Sequence, residues 1–445
     1  MSGKKHNHDI WPTHCVLPAE LWLIIGSLVG KDLWALASTC HFLAEVLYPL
    51  LYRDVVCLTP SILLRCGTAW LCKPTMVFGH VRTLSVGVTI QNAGNFPNAL
   101  EWSGLLYKWR LFTPILERFT RLTHLQFIFL ALPRTFPVVL TSLPMMTDLT
   151  VERCTFTGPV SFYGVVLSVV RLRLKDVCWD DEPDEITLVR GCPLLEVLYL
   201  GWHYRIADTL NVENTRNLSQ HLRELTVNSV LQAWSGNRTE RVKEQQTFFN
   251  FIEAWSGLKA LTLKGGWPLF DTGAFPAAKQ ALPDYLVAYT GPIHFYRSTI
   301  HTHIGLKKAV FIEPHLSVPE LLMFLPSLPL ATHVALSGLC LDKEPIEDQD
   351  TLKVVLKQCK EVEELVVNPA HVPLQGAAWM LNILRRCLHH RQKIRFIFIP
   401  GIDAHDLDVE HGFDGLDDIC PSLRLIQFHK RKWDCGNGKW TEIDM

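Results

Sequence analysis

Histidines come in close pairs at three places in the chain: His6 with His8, His301 with His303, and His389 next to His390. Two imidazoles at such spacing could supply half of a zinc site. No neighbouring pair of cysteines completes a four-ligand set, so these read as surface histidines. Nucleophilic chemistry has no better footing. There is no Gly-x-Ser-x-Gly elbow, and spacing nominates no grouping of Ser, His and Asp. The glycines at Gly265 and Gly266, and at Gly436 and Gly438, lack the strand–loop–helix setting and the Lys-Ser/Thr that cradle a phosphate. Acidic runs at Asp180 to Glu185 and Asp342 to Asp350 read as exposed loops after strands. The basic run His429 to Lys432 is too short and isolated to hold nucleic acid. These residues predict no catalytic residue, no metal site and no cofactor. What remains is binding.

The 445 residues are 48% hydrophobic and 20% charged, which excludes a disordered chain and permits a large core. Lys and Arg number 43 against 44 Asp and Glu, so no global basic field exists to attract nucleic acid. The first ten residues are polar, without an apolar run and cleavage site behind them. The most apolar stretch, Leu122 to Leu140, is broken by His124, Pro133, Arg134 and Pro137, too often for a membrane span. Thirteen cysteines, an odd number without a Cys-x-x-Cys pair, read as reduced thiols. The expectation is a protein of the cytoplasm and/or nucleus, neither secreted nor membrane-bound.

The elements that could position a binding surface begin near the N-terminus, after a disordered tail expected over 1–14. Pro18 and Glu20 are helix-start residues, and Leu21, Ile24, Ile25 and Leu28 recur at helical spacing behind them. Gly30 ends that helix, and Asp32 can cap a short second one carrying Leu33, Leu36 and Ala37. A third starts near Cys40 with Leu43, Val46, Leu47, Leu50 and Leu51 inward, and Pro49 kinks or ends it. Three short helices in so few residues make a marginal core. Trp22, Leu23, Trp34 and Phe42 add more apolar surface than it can use. At ~1.5–3 kcal/mol per large side chain buried, the surplus calls for cover by the rest of the chain or by a partner.

The order of residues resembles an F-box over roughly 15–55. Leu17, Pro18, Glu20 and Leu21 are followed by Ile24, Ile25 and Leu28, then by Asp32, Leu33, Leu36, Ala37 and Cys40. The ending Leu47-x-Pro49-Leu50-Leu51-Tyr52-Arg53 is similar to the fungal form of the family, and His41 departs from the Arg more usual there. The resemblance implies a partner: F-boxes dock on the Skp1 adaptor and, through it, the cullin of SCF ubiquitin ligases. Carried over by position, the Skp1 contacts would centre on Leu17, Pro18, Leu21, Ile25, Leu33, Leu36 and Cys40.

A short pattern, apolar-x-x-apolar-x-apolar, then recurs down the chain. Its central residues are Leu84, Leu125, Leu149, Leu172, Leu198, Leu225, Leu261, Ala309, Val334, Leu365, a degenerate Phe396 and Ile426. Most separations lie near the roughly 20–29 residues of a leucine-rich repeat, and the long ones imply insertions or a missed repeat. The lead-ins Cys192-Pro193-Leu194-Leu195 and Cys420-Pro421-Ser422-Leu423 resemble those of the leucine-rich repeats that often follow an F-box. Ordered repetition favours this over an ordinary α/β domain with similar buried strands. The predicted fold class is α/β: a three-helix F-box, then an irregular leucine-rich-repeat solenoid with a parallel sheet on its concave face and helices on the convex face.

The predicted boundaries are a helical linker or cap over 56–80, the solenoid over 81–430, and a C-terminal tail over 431–445. Insertions are expected near 229–257 and 264–305, where Trp234, Trp255, Trp267 and Phe270 would fold over an edge. Residues flanking each central apolar one point away from the core. Candidate target-binding residues are therefore His124, Gln126, Asp148, Thr150, Arg171, Arg173, Tyr199 and Glu224, with Lys175 extending a basic stripe beside Asp148 and Glu152. Further along the same face come Thr226, His333, Glu364 and Gln427. The expected function is that of an SCF substrate receptor holding an unknown target protein. The alternative is an F-box scaffold acting outside a cullin ligase.

Overall fold

A strand whose apolar residues alternate with polar ones can bury one face, and parallel neighbours in equal register let that burial continue from strand to strand. The computed structural model repeats this solution many times. It describes residues 17–58, 75–87, 115–158, 160–179, 185–202, 206, 221–229, 237–253, 255–267, 285–295, 305–316, 328–339, 352–353, 355–369, 376–388, 393–402, 404, 413, 415–436 and 439–443. Within them the fold is mixed α/β, with extensive parallel sheet and few helices. The chain divides into two compact units: Met1–Val169 with Asp176–Asp184, and Val170–Lys175 with Glu185–Met445.

The first unit opens with helices α1 (Ala19–Val29), α2 (Leu33–Ala37) and α3 (His41–Leu51). Gly30 takes a left-handed φ of 60° and stops α1, as a residue without Cβ can. Asp32 makes no side-chain cap to α2. Pro49 lies inside α3, near its end, and the helix closes with the Tyr52 N–H donating to the Tyr48 carbonyl at 3.0 Å. Strand β1 (Asp54–Cys57), helix α4 (Thr75–Phe78), and strands β2 (Thr83–Gly87) and β3 (His124–Ile128) follow. Next come β4 (Ala131–Pro133), α5 (Phe136–Thr141), β5 (Asp148–Glu152) and β6 (Thr155–Thr157). Strands β1, β2, β3 and β5 pair in parallel, with Val55, Leu84, Leu125 and Leu149 level across them. A side sheet joins β4 and β6 to β8 (Cys178–Trp179), with Phe156 stacked on Trp179 at 4.1 Å between ring centres.

The second unit begins at β7 (Arg171–Lys175) and continues through α6 (Glu185–Arg190), β9 (Val197–Trp202), β10 (Glu224–Ser229), α7 (Arg238–Glu253) and β11 (Ala260–Gly265). Strands β12 (Ala288–Gly291), β13 (Lys308–Leu316), β14 (His333–Leu339) and β15 (Glu364–Pro369) lead to α8 (Gly376–Cys387) and β16 (Phe396–Ile399). Helix α9 (Leu416–Ile419) and strands β17 (Leu425–Phe428), β18 (Arg431–Gly436) and β19 (Lys439–Ile443) complete it. From β7 to β17 every pairing is parallel, with Leu172, Leu198, Leu225, Leu261, Tyr289, Ala309, Val334, Leu365, Ile397 and Ile426 level. All ten are buried.

Backbone hydrogen bonds repeat with the same period. The Arg223 carbonyl accepts from the N–H groups of Lys259 and Ala260 at 2.8 and 2.9 Å, and the Lys259 carbonyl from those of Val287 and Ala288 at 2.8 and 3.0 Å. Each strand thus starts on its predecessor. Before it, a buried residue accepts from the N–H three positions on: Cys192 from Leu195 at 3.1 Å, Trp255 from Leu258 and Cys420 from Leu423, both at 3.0 Å. The Cys-Pro lead-ins are instances of this turn, and their thiols are buried.

Several expectations need correction. Residues 264–305 hold a full repeat strand, β12, with Tyr289 in the place of the usual leucine. Residues 229–257 hold the 16-residue helix α7. Trp255 and Trp267 are core residues, beside Phe251 and Phe248 at 5.8 and 4.8 Å, and fold over no edge. The central residue of the Phe396 strand is Ile397: Phe396 is exposed, while Ile397 and Ile399 are buried. In place of a tail, 431–445 carries β18 and β19, an antiparallel hairpin on β17. Of residues 56–80, 59–74 lie outside the described residues, and the rest hold the end of β1 and helix α4. Glu185 starts α6 and is buried. Residues 1–14, the three histidine pairs, 180–184, Asp342 to Asp350, Trp234 and Phe270 lie outside the described residues.

Candidate functional site

Two kinds of surface are candidates for binding, and the first is apolar. Helix α1 has two greasy stripes. Trp22 and Gly26 turn inward: a Cβ on Gly26 would stand 2.7 Å from Leu47 Cδ2 and 2.9 Å from Leu50 Cδ1, so glycine is what lets α1 lie this close to α3. Ala37, Leu43 and Leu47 form the small buried core there, with Leu33, Leu36, Cys40, Leu50 and Leu51 packed against it. The other stripe, Leu21, Ile24 and Leu28, recurs at helical spacing and faces out, and Leu17, which precedes the helix, is exposed too. Leu28 is 81% exposed, Ile24 55% and Leu21 43%. Trp34 is 62% exposed, with its ring edge on Tyr52 at 6.3 Å, and Phe42 is exposed too.

The seven residues nominated for Skp1 therefore separate. Leu17, Pro18 and Leu21 are exposed, and Ile25 is half-buried. Leu33, Leu36 and Cys40 are half-buried against the helices' own core. Sequence reasoning chose Ile25 where Ile24 carries the greater exposure, and did not single out Leu28 for contact. The step Leu21–Ile24–Leu28 within the helix is what marks the exposed stripe in the sequence.

The second surface is the polar face of the strands. In the first unit, His124 Nε2 lies 3.4 Å from Asp148 Oδ2, and its Nδ1 is 2.8 Å from Thr123 Oγ1. Thr147 donates its hydroxyl to Asp148 at 2.8 Å, and Ser85 donates to Gln126 Oε1 at 3.1 Å. Thr150 lies level with Gln126, half-buried. Side chains thus pair between neighbouring strands, Ser85 with Gln126 and His124 with Asp148.

In the second unit, Arg171 and Arg173 are exposed on β7, and Arg173 lies level with Tyr199 on β9. The ammonium groups of Lys175 and Lys264 approach the Tyr199 ring at 5.8 and 5.9 Å from its centre, within reach of cation–π attraction. Glu224 and Thr226 follow on β10. His333 Nδ1 is 2.9 Å from Glu364 Oε2, and Gln427 donates to the His429 carbonyl at 3.1 Å. Lys264 is the residue that sequence reasoning missed: it lies one alternation beyond Thr262 on the same face.

Among the described residues, no group of three or more His, Cys, Asp and Glu could hold a metal ion, and no helix is long and apolar enough to cross a membrane. None of the described cysteines is in a disulfide.

No protein-family model matches the chain. No curated protein matches it either. Among solved structures, a Bacteroides fragilis protein is similar over 84% of this chain and 74% of its own, with 8% identity and a TM-score of 0.26. The plant peptide hormone receptor RGFR1, solved in complex with RGF2, is similar over 74% of this chain and 49% of its own, with 12% identity and a TM-score of 0.25. This chain thus spans about half of the receptor's length. Similarity at that level leaves the functional reading to the chain's own residues.

Proposed function

We propose that the chain is the substrate-receptor subunit of an SCF-type ubiquitin ligase, an F-box at 15–55 followed by leucine-rich repeats. The helices dock on Skp1, which links them to the cullin, and the strand face holds the target protein. The observation that carries this reading is the exposed α1 stripe Leu21, Ile24 and Leu28, with exposed Leu17 ahead of the helix, an apolar surface suited to a partner's helix. Each such side chain contributes ~1.5–3 kcal/mol when fully covered, and few monomers leave so much apolar surface open. The chain itself does no covalent chemistry. It raises the effective concentration of target lysines beside a charged conjugating enzyme held elsewhere in the assembly.

The test is co-purification. Intact protein is expected to retain Skp1, and a Leu17→Ala/Pro18→Ala/Leu21→Ala variant with an unchanged circular dichroism spectrum to lose it. Equal retention by the two proteins, or none by either, removes the receptor role.

A further inference from the structure

The stripe on α1 reads almost the same from either end. Leu21 stands one turn before Ile24 and Leu28 one turn after it, all three on one face of the helix and all exposed. Lay a second copy of the helix across it in the opposite direction, about a two-fold axis near Ile24. Leu21 of each copy then meets Leu28 of the other, and Ile24 meets its own counterpart. One patch that complements itself is what an isologous contact requires. The opposite face of α1 is committed, because Trp22 and Gly26 pack it on the small helical core, so turning the stripe inward would forfeit that packing.

The charges at the two ends of the helix choose the direction. Glu20 lies in the first turn of α1 and Lys31 just beyond its last residue, and both are exposed. Two copies side by side in the same direction would set Glu20 beside Glu20 and Lys31 beside Lys31, with the helix dipoles aligned. In the opposite direction each Glu20 comes to the Lys31 end of the other copy, and the dipoles oppose. Asp32, next to Lys31 and also exposed, stands at the start of α2, whose own dipole favours a carboxylate. Three side chains are a small patch beside the roughly 800 Å² per partner of a standard interface, so such a pairing is weak and reversible.

We propose that the chain in isolation pairs with a second copy of itself through antiparallel α1 helices, with Leu21, Ile24 and Leu28 forming the contact. The pairing needs only the exposed stripe. Its consequence rests on the receptor reading: Skp1 would claim the same side chains, so self-association and adaptor docking exclude each other, and free receptor is held back from assembly.

Sedimentation velocity of the full chain alone tests the pairing. A reversible monomer–dimer equilibrium is expected, shifting towards dimer as concentration rises. Ile24→Glu sets two carboxylates together on the axis and should weaken it at least about tenfold. Lys31→Glu should weaken it about threefold or more, and Glu20→Lys/Lys31→Glu should restore it, because the swap keeps the antiparallel attraction. Unchanged circular dichroism reports that the variants fold. A monomer at every concentration overturns the proposal, as does growth beyond two copies. So does a dimer indifferent to Ile24→Glu, or a double swap no better than Lys31→Glu alone. Added Skp1 should convert the dimer into complexes with one copy of each protein, and a complex that keeps two copies of the chain sinks the exclusion. If Skp1 binds neither form, the receptor reading fails while the self-association, measured without Skp1, stands.

Discussion

Four positions after the central apolar residue of a strand, the chain turns through a residue of positive φ, and the position recurs. Gly265 and Gly338 occupy it at φ 83° and 82°, while Phe129, Arg153 and Asp176 occupy it at 51°, 51° and 50°. Glycine is required at Gly265, where a Cβ would stand 1.9 Å from the Ser229 carbonyl oxygen. The non-glycine residues cost roughly 1–2 kcal/mol each in backbone strain, and their side chains return part of it. Arg153 lies over Phe129 at 5.2 Å and pairs with Asp176 at 3.5 Å. Cysteines occupy a second class of repeated position, facing the core. Burial pushes the Cys154 and Cys192 thiols from an ordinary 9.0 up to about 12. The folded chain therefore keeps these protons where the unfolded chain releases them. Their contribution to stability is full below pH 9.0 and falls as pH rises from there towards 12. At about pH 8, iodoacetamide should alkylate exposed Cys178 well before Cys154 or Cys192, because the thiolate is the reacting form and access is needed. Peptide mass spectrometry over a time course reads the order, and equal rates at all three would contradict it.

At the scale of elements, a parallel sheet must stop somewhere, and its last strand presents unpaired N–H and C=O groups. Here the chain reverses after β17 and adds β18 and β19 antiparallel. Trp433 anchors the hairpin: it is fully buried, with Phe413 at 5.3 Å and Phe428 at 6.0 Å. Across the hairpin, Arg431 donates to both carboxylate oxygens of Glu442 at 2.7 and 2.6 Å, and holds that carboxyl below its usual range. Trp433→Ala should cost ~3–5 kcal/mol in urea unfolding, as for other buried aromatics, and promote association through the bared edge. A loss under about 1 kcal/mol would mean that the hairpin is not anchored by this residue. None of it was legible in the sequence, because Arg431, Lys432, Asp434, Lys439 and Glu442 mask the apolar alternation. The other repeat strands were legible where one face is apolar and one polar, as in Leu172 and Leu174 between Arg171, Arg173 and Lys175. The register of β16 slipped by one because Phe396 and Phe398 make both faces apolar. Strand β12 was missed because Tyr289 and Gly291 replace the two leucines. On α1, both stripes are apolar, so periodicity identified the helix but not which stripe faces out. That depended on Gly26 and its neighbours on α3.

For the molecule as a whole, the proposed role asks two surfaces to work at once without requiring them to communicate. Tethering raises a local concentration whatever the receptor's internal state, so it needs a chain that holds both partners, not one that switches. Coupling between sites needs an element with two arrangements that both ligands bias. Neither candidate surface offers one. The α1 stripe is held from behind by Gly26 against Leu47, and the Tyr199 face is held by parallel strands paired residue for residue. The affinity for Skp1 should therefore change by less than about twofold when a target protein saturates the strand face, a coupling below ~0.4 kcal/mol. Calorimetric titration of Skp1 into the chain, with and without target, measures that ratio. A change of tenfold or more, about 1.4 kcal/mol, would reveal a conformational link and make target binding a regulator of assembly rather than its cargo.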